Sequence, residues 1–584
     1  MAEKNCGFKG CSEIIDTKVD GGLCIFHSGG YSGDRKNEYY QRINAKISRK
    51  DYNFKGFTFW EGLILKAGNR PDAEPLIFDG PVDFSFARFS GKTEAIDSEG
   101  NPVNTCFDAS KVIFRENVSF FNANFDSQSS FQESQFEKDA IFVNAGFGHD
   151  TLFYGSHFKK NADFQGSEFS GIVDFSGSTF SGDIDFDKAK FKNIAYFENT
   201  NFEGNACFGT AKFMAYSSFI EASIGDTLSF VSTIVQDRIV FAEIKLKGRL
   251  SFLEVAFDPN SYFNFLIPKL EDSSIVTFEN INFIPFKTLF QEVDITALET
   301  ININRKPPII FRYCQLKDVY FANNNMSLFS FYTSSFDEAR FISSWWHSLN
   351  ERVIFRYKRK NILPEELILS DMTRIIDPND KERFAEDVKI LSLKGFNYKE
   401  IASLYRRMKT ALDRTKDYQE ASWFYFNEFE MKRLNLKEKY KDRNILRRIF
   451  SRITLYNSYK VFAGYGEKPL WSFYWYLLFA IIFSVAHLAS GLDTEGMASS
   501  PHEICISNYS SINNLCSLKF IGDFGNSFLY TLSLTIPRSF SSITPSGYND
   551  TGAYGQMISS FNSMVMILFL ALIIVGLKRH FRRF

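Results

Sequence analysis

The stretch ADFQGSEFSGIVDFSGSTFSGDIDFDKAKF, Ala162 to Phe191, places phenylalanine at 164, 169, 175, 180, 186 and 191, so its gaps alternate five and six. The same ladder runs back through Phe158, Phe153, Phe147, Phe142, Phe136, Phe131 and Phe125 to Phe120. It runs forward to Phe263, with Ile224, Val235 and Leu246 in intermediate slots, so the slots demand apolar bulk and Phe is the favourite. The unit is eleven residues. Eleven residues nearly close three helical turns, but at about 100° per residue, steps of five and six set alternate Phe on two flanks roughly 140° apart. Glycine also recurs at Gly166, Gly171, Gly177 and Gly182, and each would cost a helix interior about 1 kcal/mol. The stretch is not helical.

Short strands account for it. Two residues before these Phe stand Ala162, Ser167, Val173, Ser178, Ile184 and Ala189, and a period of two places both members of each pair on one face. Between the pairs lie Gly, Ser, Asn, Asp and Lys, which suit corners and solvent. Each piece is then one side of a coil, and the coils stack into a solenoid.

These residues resemble the pentapeptide-repeat proteins, whose right-handed quadrilateral β-helix carries a bulky residue at the centre of each five and a small one two earlier. The phenylalanine-rich variant with interleaved sixes is the nearest likeness. From Phe311 the step is a pure five, through Leu316, Phe321, Met326, Phe331, Phe336 and Phe341. A less regular part begins near Phe54, Phe59, Phe78, Phe84 and Phe89, with an inserted loop near 90–105. Residues 54–341 are thus expected to form one solenoid, on the order of 50 Å long at about 4.8 Å per coil. Such a tower offers outward surfaces and no evident cleft.

The 584 residues leave room for further domains, and the formal net charge of -1 argues against bulk attraction to nucleic acid. Acidic residues dominate the ladder, and basic ones crowd the last 150 positions. The opening MAEKNCGFKG has no apolar core of signal-peptide length, which leads us to expect a cytoplasmic solenoid.

Near the C-terminus, LWSFYWYLLFAIIFSVAHLASGL (470–492) and MISSFNSMVMILFLALIIVGL (557–577) contain no Asp, Glu, Lys or Arg, and each is long enough to span a bilayer. The alternative is a pair of core helices in a soluble domain. Trp471, Tyr474, Trp475 and Tyr476 form an aromatic belt. KYKDRNILRRIFSR precedes the first run and KRHFRRF (578–584) follows the second, so both termini are expected in the cytoplasm and 493–556 outside. In a bacterium this is the inner, or plasma, membrane.

Between the spans, FGNSFLYTLSLTIPRSF (524–540) follows an outer loop at 493–523 and is too short to cross. It resembles the pore helix of two-span tetrameric cation channels. Irregular backbone at membrane depth is tolerated only where it lines water or is buried in protein. The glycine-tyrosine-glycine filter of potassium channels is absent, so potassium selectivity is not implied. Ser533, Leu534, Thr535, Ile536, Pro537 and Arg538 are the candidate constriction. Pro537 ends the helix; Arg538 either faces the lumen and disfavours cations or snorkels to the outer interface. Cys505 and Cys516, both in the outside segment, are a disulfide candidate, with two separate thiols as the alternative.

At the N-terminus, Cys6, Cys11, Cys24 and His27 form two close pairs in a glycine-rich segment, 1–30, followed by a linker at 31–53. Three thiolates and an imidazole suit a closed, structural tetrahedral zinc site, with unrelated free cysteines as the alternative. The segment also resembles a zinc-knuckle cap borne by some pentapeptide-repeat proteins. Cys106, Cys207 and Cys314 read as ordinary solenoid residues.

Residues 342–450 read as a helical linker domain. Ile401, Leu404, Tyr405, Met408 and Leu412 have helical spacing, a second helix follows a break near Asp417, and Arg406, Arg407, Glu428 and Glu430 read as a solvated or inter-subunit face. The basic, apolar juxtamembrane segment, 451–469 with the residues before it, suits an interfacial helix. His487 in the first span reads as a packing residue.

No phosphate-cradling loop, strand-elbow serine or further His-rich set is present, and no enzyme is expected. Three readings follow. The first is an oligomeric ion channel, tetrameric by its resemblance, that passes inorganic ions under control of the solenoid and a cytosolic protein or small-molecule trigger. The second is a membrane-anchored scaffold for a cytosolic partner. The third is a DNA-mimicking topoisomerase binder.

Overall fold

The structure is a computed structural model that describes residues 6, 23–27, 34–65, 75–90, 93–96, 102–271, 273–283, 287–293, 308–336, 339–352, 356–374, 397–440, 455–493, 504–505, 518–535, 548–550 and 552–581. Two compact units divide the chain: Met1–Ser348 with Lys360–Phe396 and Thr410–Thr415, and Leu349–Arg359 with Asn397–Lys409 and Lys416–Phe584.

The ladder forms a β-solenoid. Among the described residues its short strands fall into four sheets of 9, 13, 9 and 11 strands, parallel throughout except for one hairpin strand. Phe136, Phe158, Phe180 and Phe202 stand in register on successive strands of one sheet, 22 residues apart. One coil is therefore two eleven-residue units. In the pure-five region the coil shortens to four fives, with Phe321 opposite Phe341 and Gln315 opposite Ser335.

Two corner types explain the alternation of five and six. In a five-residue gap, the residue two after Phe has positive φ: Asn144, Gly155, Gly166 (+68°), Gly177 and Lys188 are examples. The Ser167 N–H then closes a turn onto the Phe164 carbonyl at 3.0 Å, the pattern of a turn that needs a left-handed third residue. In a six-residue gap no left-handed residue is needed, and the corner instead lies close on the coil below. A Cβ on Gly182 would meet Lys160 C at 2.5 Å, which is why glycine stands there.

The interior is a set of phenylalanine stacks. Phe142, Phe164, Phe186 and Phe208 follow one another at 4.6, 5.0 and 4.7 Å, nearly parallel, and each contact adds about 0.5–1.5 kcal/mol beyond simple burial. Buried hydroxyls stitch the coils together: Ser167 Oγ donates to the Phe142 carbonyl at 2.7 Å and Thr200 Oγ1 to that of Phe175 at 3.0 Å. The insertion forms an antiparallel hairpin, Thr93–Ile96 against Pro102–Asp108.

Both ends of the stack are covered, as an open β-ladder requires. Phe26 stacks on Phe57 at 4.3 Å, and Tyr39 of α1 (Asp34–Ser48) donates to the Thr58 carbonyl at 2.8 Å. At the other end, Glu365 in the first turn of α2 (Pro364–Arg374) accepts from Ser330 Oγ at 2.8 Å and from the Phe331 N–H at 3.0 Å.

Among the described residues the chain continues with α3 (Tyr398–Arg414), α4 (Tyr418–Lys439), α5 (Leu455–Ala463), α6 (Pro469–Ser490), α7 (Leu518–Ser533) and α8 (Gly552–Phe581). Asp417 caps α4 by accepting from the Glu420 N–H. A short 3-10 turn, Gly464–Gly466, joins α5 to α6, which begins on Pro469. Helices α6 and α8 are long and apolar enough to cross a membrane. A core helix of a soluble domain would be mostly buried, but only 33% and 17% of their apolar windows are covered.

Candidate functional site

Helix α7 is too short to span, and it is held between α6 and α8 by buried polar groups. Ser527 Oγ donates to the Ser484 carbonyl of α6 at 2.8 Å. The His487 ring meets Tyr530 edge-on at 5.1 Å, which places this histidine as a packing partner of α7. On the other side, Tyr530 shares a 3.3 Å hydrogen bond with Ser559, and Asn562 donates to the Thr531 carbonyl at 3.3 Å. Leu488, Leu492, Ile504 and Tyr530 form a small apolar cluster, with Leu534 packed against it.

The candidate constriction begins where α7 ends. Ser533 Oγ donates back to the Tyr530 carbonyl at 2.7 Å, and the buried Thr535 lies 3.3 Å from the Tyr476 hydroxyl of α6. Ile536, Pro537 and Arg538 lie outside the described residues. Cys505 is half-buried next to Ile504, whose backbone pairs with Leu492, and Cys516 lies outside the described residues.

A charged hub where α4, α5 and the end of α8 meet corrects one expectation. Glu428 and Glu430 are not a solvated face; they are 4% and 2% exposed. Glu428 takes Arg406 at 2.9 Å and Lys432 at 2.6 Å. Glu430 takes Lys460 of α5 at 2.9 Å, the Tyr465 hydroxyl at 2.9 Å, and both arms of Arg433. Burial alone would raise its pKa, but the Arg433 hydrogen bond and the charges of Lys460, Arg433 and Arg359 overcome this and hold it at about 2. Tyr465 itself sits at φ +57°, a strained conformation for a bulky residue. Arg579, past the second apolar run, donates to the Tyr465 carbonyl and to the Tyr425 hydroxyl, each at 2.9 Å. The hub therefore ties α4, α5, the 3-10 turn and the end of α8 together.

Sequence spacing could not bring these residues together, because Glu430 and Tyr465 are 35 positions apart and Tyr425 and Arg579 are 154 apart. Asn562 had a visible signal: it is the only carboxamide in the 557–577 run, and a polar residue within a span marks function or packing.

At the N-terminus, Cys6, Cys24 and His27 bring their ligand atoms within 4.8 Å of one another. Cys24 Sγ lies 3.0 Å from His27 Nδ1, and the Cys24 N–H points at Cys6 Sγ from 3.2 Å. His27 Nε2 is 2.9 Å from the Lys55 carbonyl. A carbonyl only accepts, so Nε2 carries the proton and the Nδ1 lone pair faces the thiols, as in metal sites with an oriented imidazole. The donor set fits zinc. Cys11 lies outside the described residues. Cys106 and Cys314 are buried solenoid residues whose thiol pKa values burial pushes up to about 12 and about 11, and Cys207 is half-buried on a solenoid strand.

Residues 153–200 and 164–212 match the family model described as pentapeptide repeats (9 copies). The solenoid carries pentapeptide repeats. The match falls on the most regular part of the ladder, where every coil has 22 residues. Neither the curated proteins nor the solved structures give a match.

Proposed function

We propose that this chain is an oligomeric ion channel of the inner membrane, tetrameric and with both termini in the cytoplasm, whose pentapeptide-repeat solenoid senses a cytosolic protein or small molecule. The single observation that supports this best is the seating of α7, a non-spanning helix held by hydroxyls and an amide between two helices of spanning length. A plain anchor needs no such third helix. A helix that stops at membrane depth with its last polar groups gathered near Ser533 and Thr535 suits a water-lined path. Residues Ser533 to Arg538 would then form the constriction, with α8 lining the inner pore. The solenoid would wind as the right-handed four-sided coil of its family.

In this reading the Cys6, Cys11, Cys24 and His27 set holds one structural zinc, which locks the N-terminal cap onto the first coil. Its role is to close the ladder, not to do chemistry, because no ligand position stays open.

The test is ion flux from liposomes containing the purified full-length protein. Flux that rises with protein content and changes its anion-to-cation preference in Arg538→Glu supports the channel. Liposomes that stay tight for every salt and every protein density support the anchored scaffold instead.

A further inference from the structure

Helix α7 leaves a carbonyl without its usual partner, and α8 supplies one. The Thr535 N–H bonds to the Leu532 carbonyl at 3.1 Å instead of reaching back to Thr531, so the Thr531 carbonyl is one of the acceptors orphaned at a helix C-terminus. Asn562 donates to it from the neighbouring helix through Nδ2, at 3.3 Å. Both residues are 0% exposed. Two polar atoms are then left over: Asn562 Oδ1 and Thr531 Oγ1 are buried and have no hydrogen-bond partner among the described residues. They belong to the two residues that make this amide-to-carbonyl bond. Such atoms are costly at membrane depth, and one water with two or more polar partners would relieve both.

We propose that Asn562 is a positioning residue for the constriction: it caps the pore segment from the inner helix, and its Oδ1 shares one buried water with Thr531 Oγ1. The proposal rests on the channel reading of α7. Ser533 and Thr535, the described part of the constriction, stand two and four residues after Thr531, so this bond sets where the chain leaves the helix. A tilt of α8 then moves Ser533 and Thr535 with it, where an apolar contact would let the helices slide.

The experiment compares full-length wild type, Asn562→Leu, Asn562→Gln and Thr531→Val in planar bilayers under a potassium chloride gradient. Asn562→Leu keeps the branched outline and removes the donor, and is expected to shift the reversal potential and the unitary conductance. Asn562→Gln restores both, and Thr531→Val shifts them in the same direction as Asn562→Leu. A role in folding alone would lower the yield of channels without moving either quantity. Wild-type values in Asn562→Leu overturn the proposal; if that variant does not assemble, wild-type values in Thr531→Val overturn it. Should wild type itself pass no current, the channel reading fails, and the cap is read by hydrogen exchange. Asn562→Leu then speeds exchange at the Leu534 and Thr535 amides by about fivefold, and unchanged exchange overturns it.

Discussion

Arg579, in the last turn of α8, stands over the ring of Tyr425 in α4, its guanidinium carbon 4.3 Å from the ring centroid and its Nη2 2.9 Å from the phenol oxygen. One side chain thus joins the C-terminal end of α8 to α4 through charge, ring face and hydrogen bond together. A double-mutant cycle between Arg579→Ala and Tyr425→Leu is expected to give a coupling of about 1–2 kcal/mol in thermal or denaturant unfolding. Arg579→Lys should retain less than half of it, because an ammonium lacks the planar fork. Additive single-mutant effects would show that the two residues merely adjoin.

Glu430 draws Arg433 and Lys460 together in the buried hub. Replacing it by Gln removes the buried charge that both cations face, and the expected loss is about 3–5 kcal/mol. The same carboxylate makes the hub acid-sensitive. Its folded pKa is depressed from an ordinary 4.5 to about 2, so its stabilisation is fully present above about 4.5 and is lost as pH falls toward 2. The helical unit of wild type should therefore lose stability across that window, and Glu430→Gln should show a flatter profile there.

The two corner types give a paired prediction. Gly177 has φ +68° and a would-be Cβ there meets only ordinary contacts, the nearest at 3.9 Å, whereas Gly182 has backbone at 2.5 Å. Gly177→Ala meets only left-handed strain, about 1–2 kcal/mol, and Gly177→Asn less, since Asn144 and Asn199 already occupy such corners. Gly182→Ala forces two coils apart and costs about 1–3 kcal/mol, with the larger fall in melting temperature. The reverse ranking would contradict the assignment of corners.

Zinc supplies a further check. Purified protein is expected to hold one zinc per chain by elemental analysis, Cys24→Ser to lose it, and a chelator to lower the melting temperature of wild type but not of that variant. Zinc-free wild type with normal stability would remove the metal from the account.

The core of the solenoid was legible because a β-solenoid writes its interior into local spacing: Phe164 and Phe186 stack because they are one coil apart in the chain. The left-handed corner was only half legible, since Glu133, Lys188 and Thr210 fill it as well as Gly166 does. Residues on α4 told the opposite story. Glu428 and Glu430 read as part of a solvated or inter-subunit face, yet Arg406, Lys460 and Tyr465 arrive from distant segments of the same chain to pair with them. The place of α7 between α6 and α8 rests on Ser484, Ser527, Ser559 and Asn562, common residues whose partners no spacing rule announces.

The most direct measurement is single-channel recording from the purified full-length protein in planar bilayers. The account predicts discrete unitary currents whose conductance and reversal potential change in Arg538→Glu and Ser533→Ala. A bilayer that stays silent with confirmed protein insertion, across salts and voltages, would contradict it.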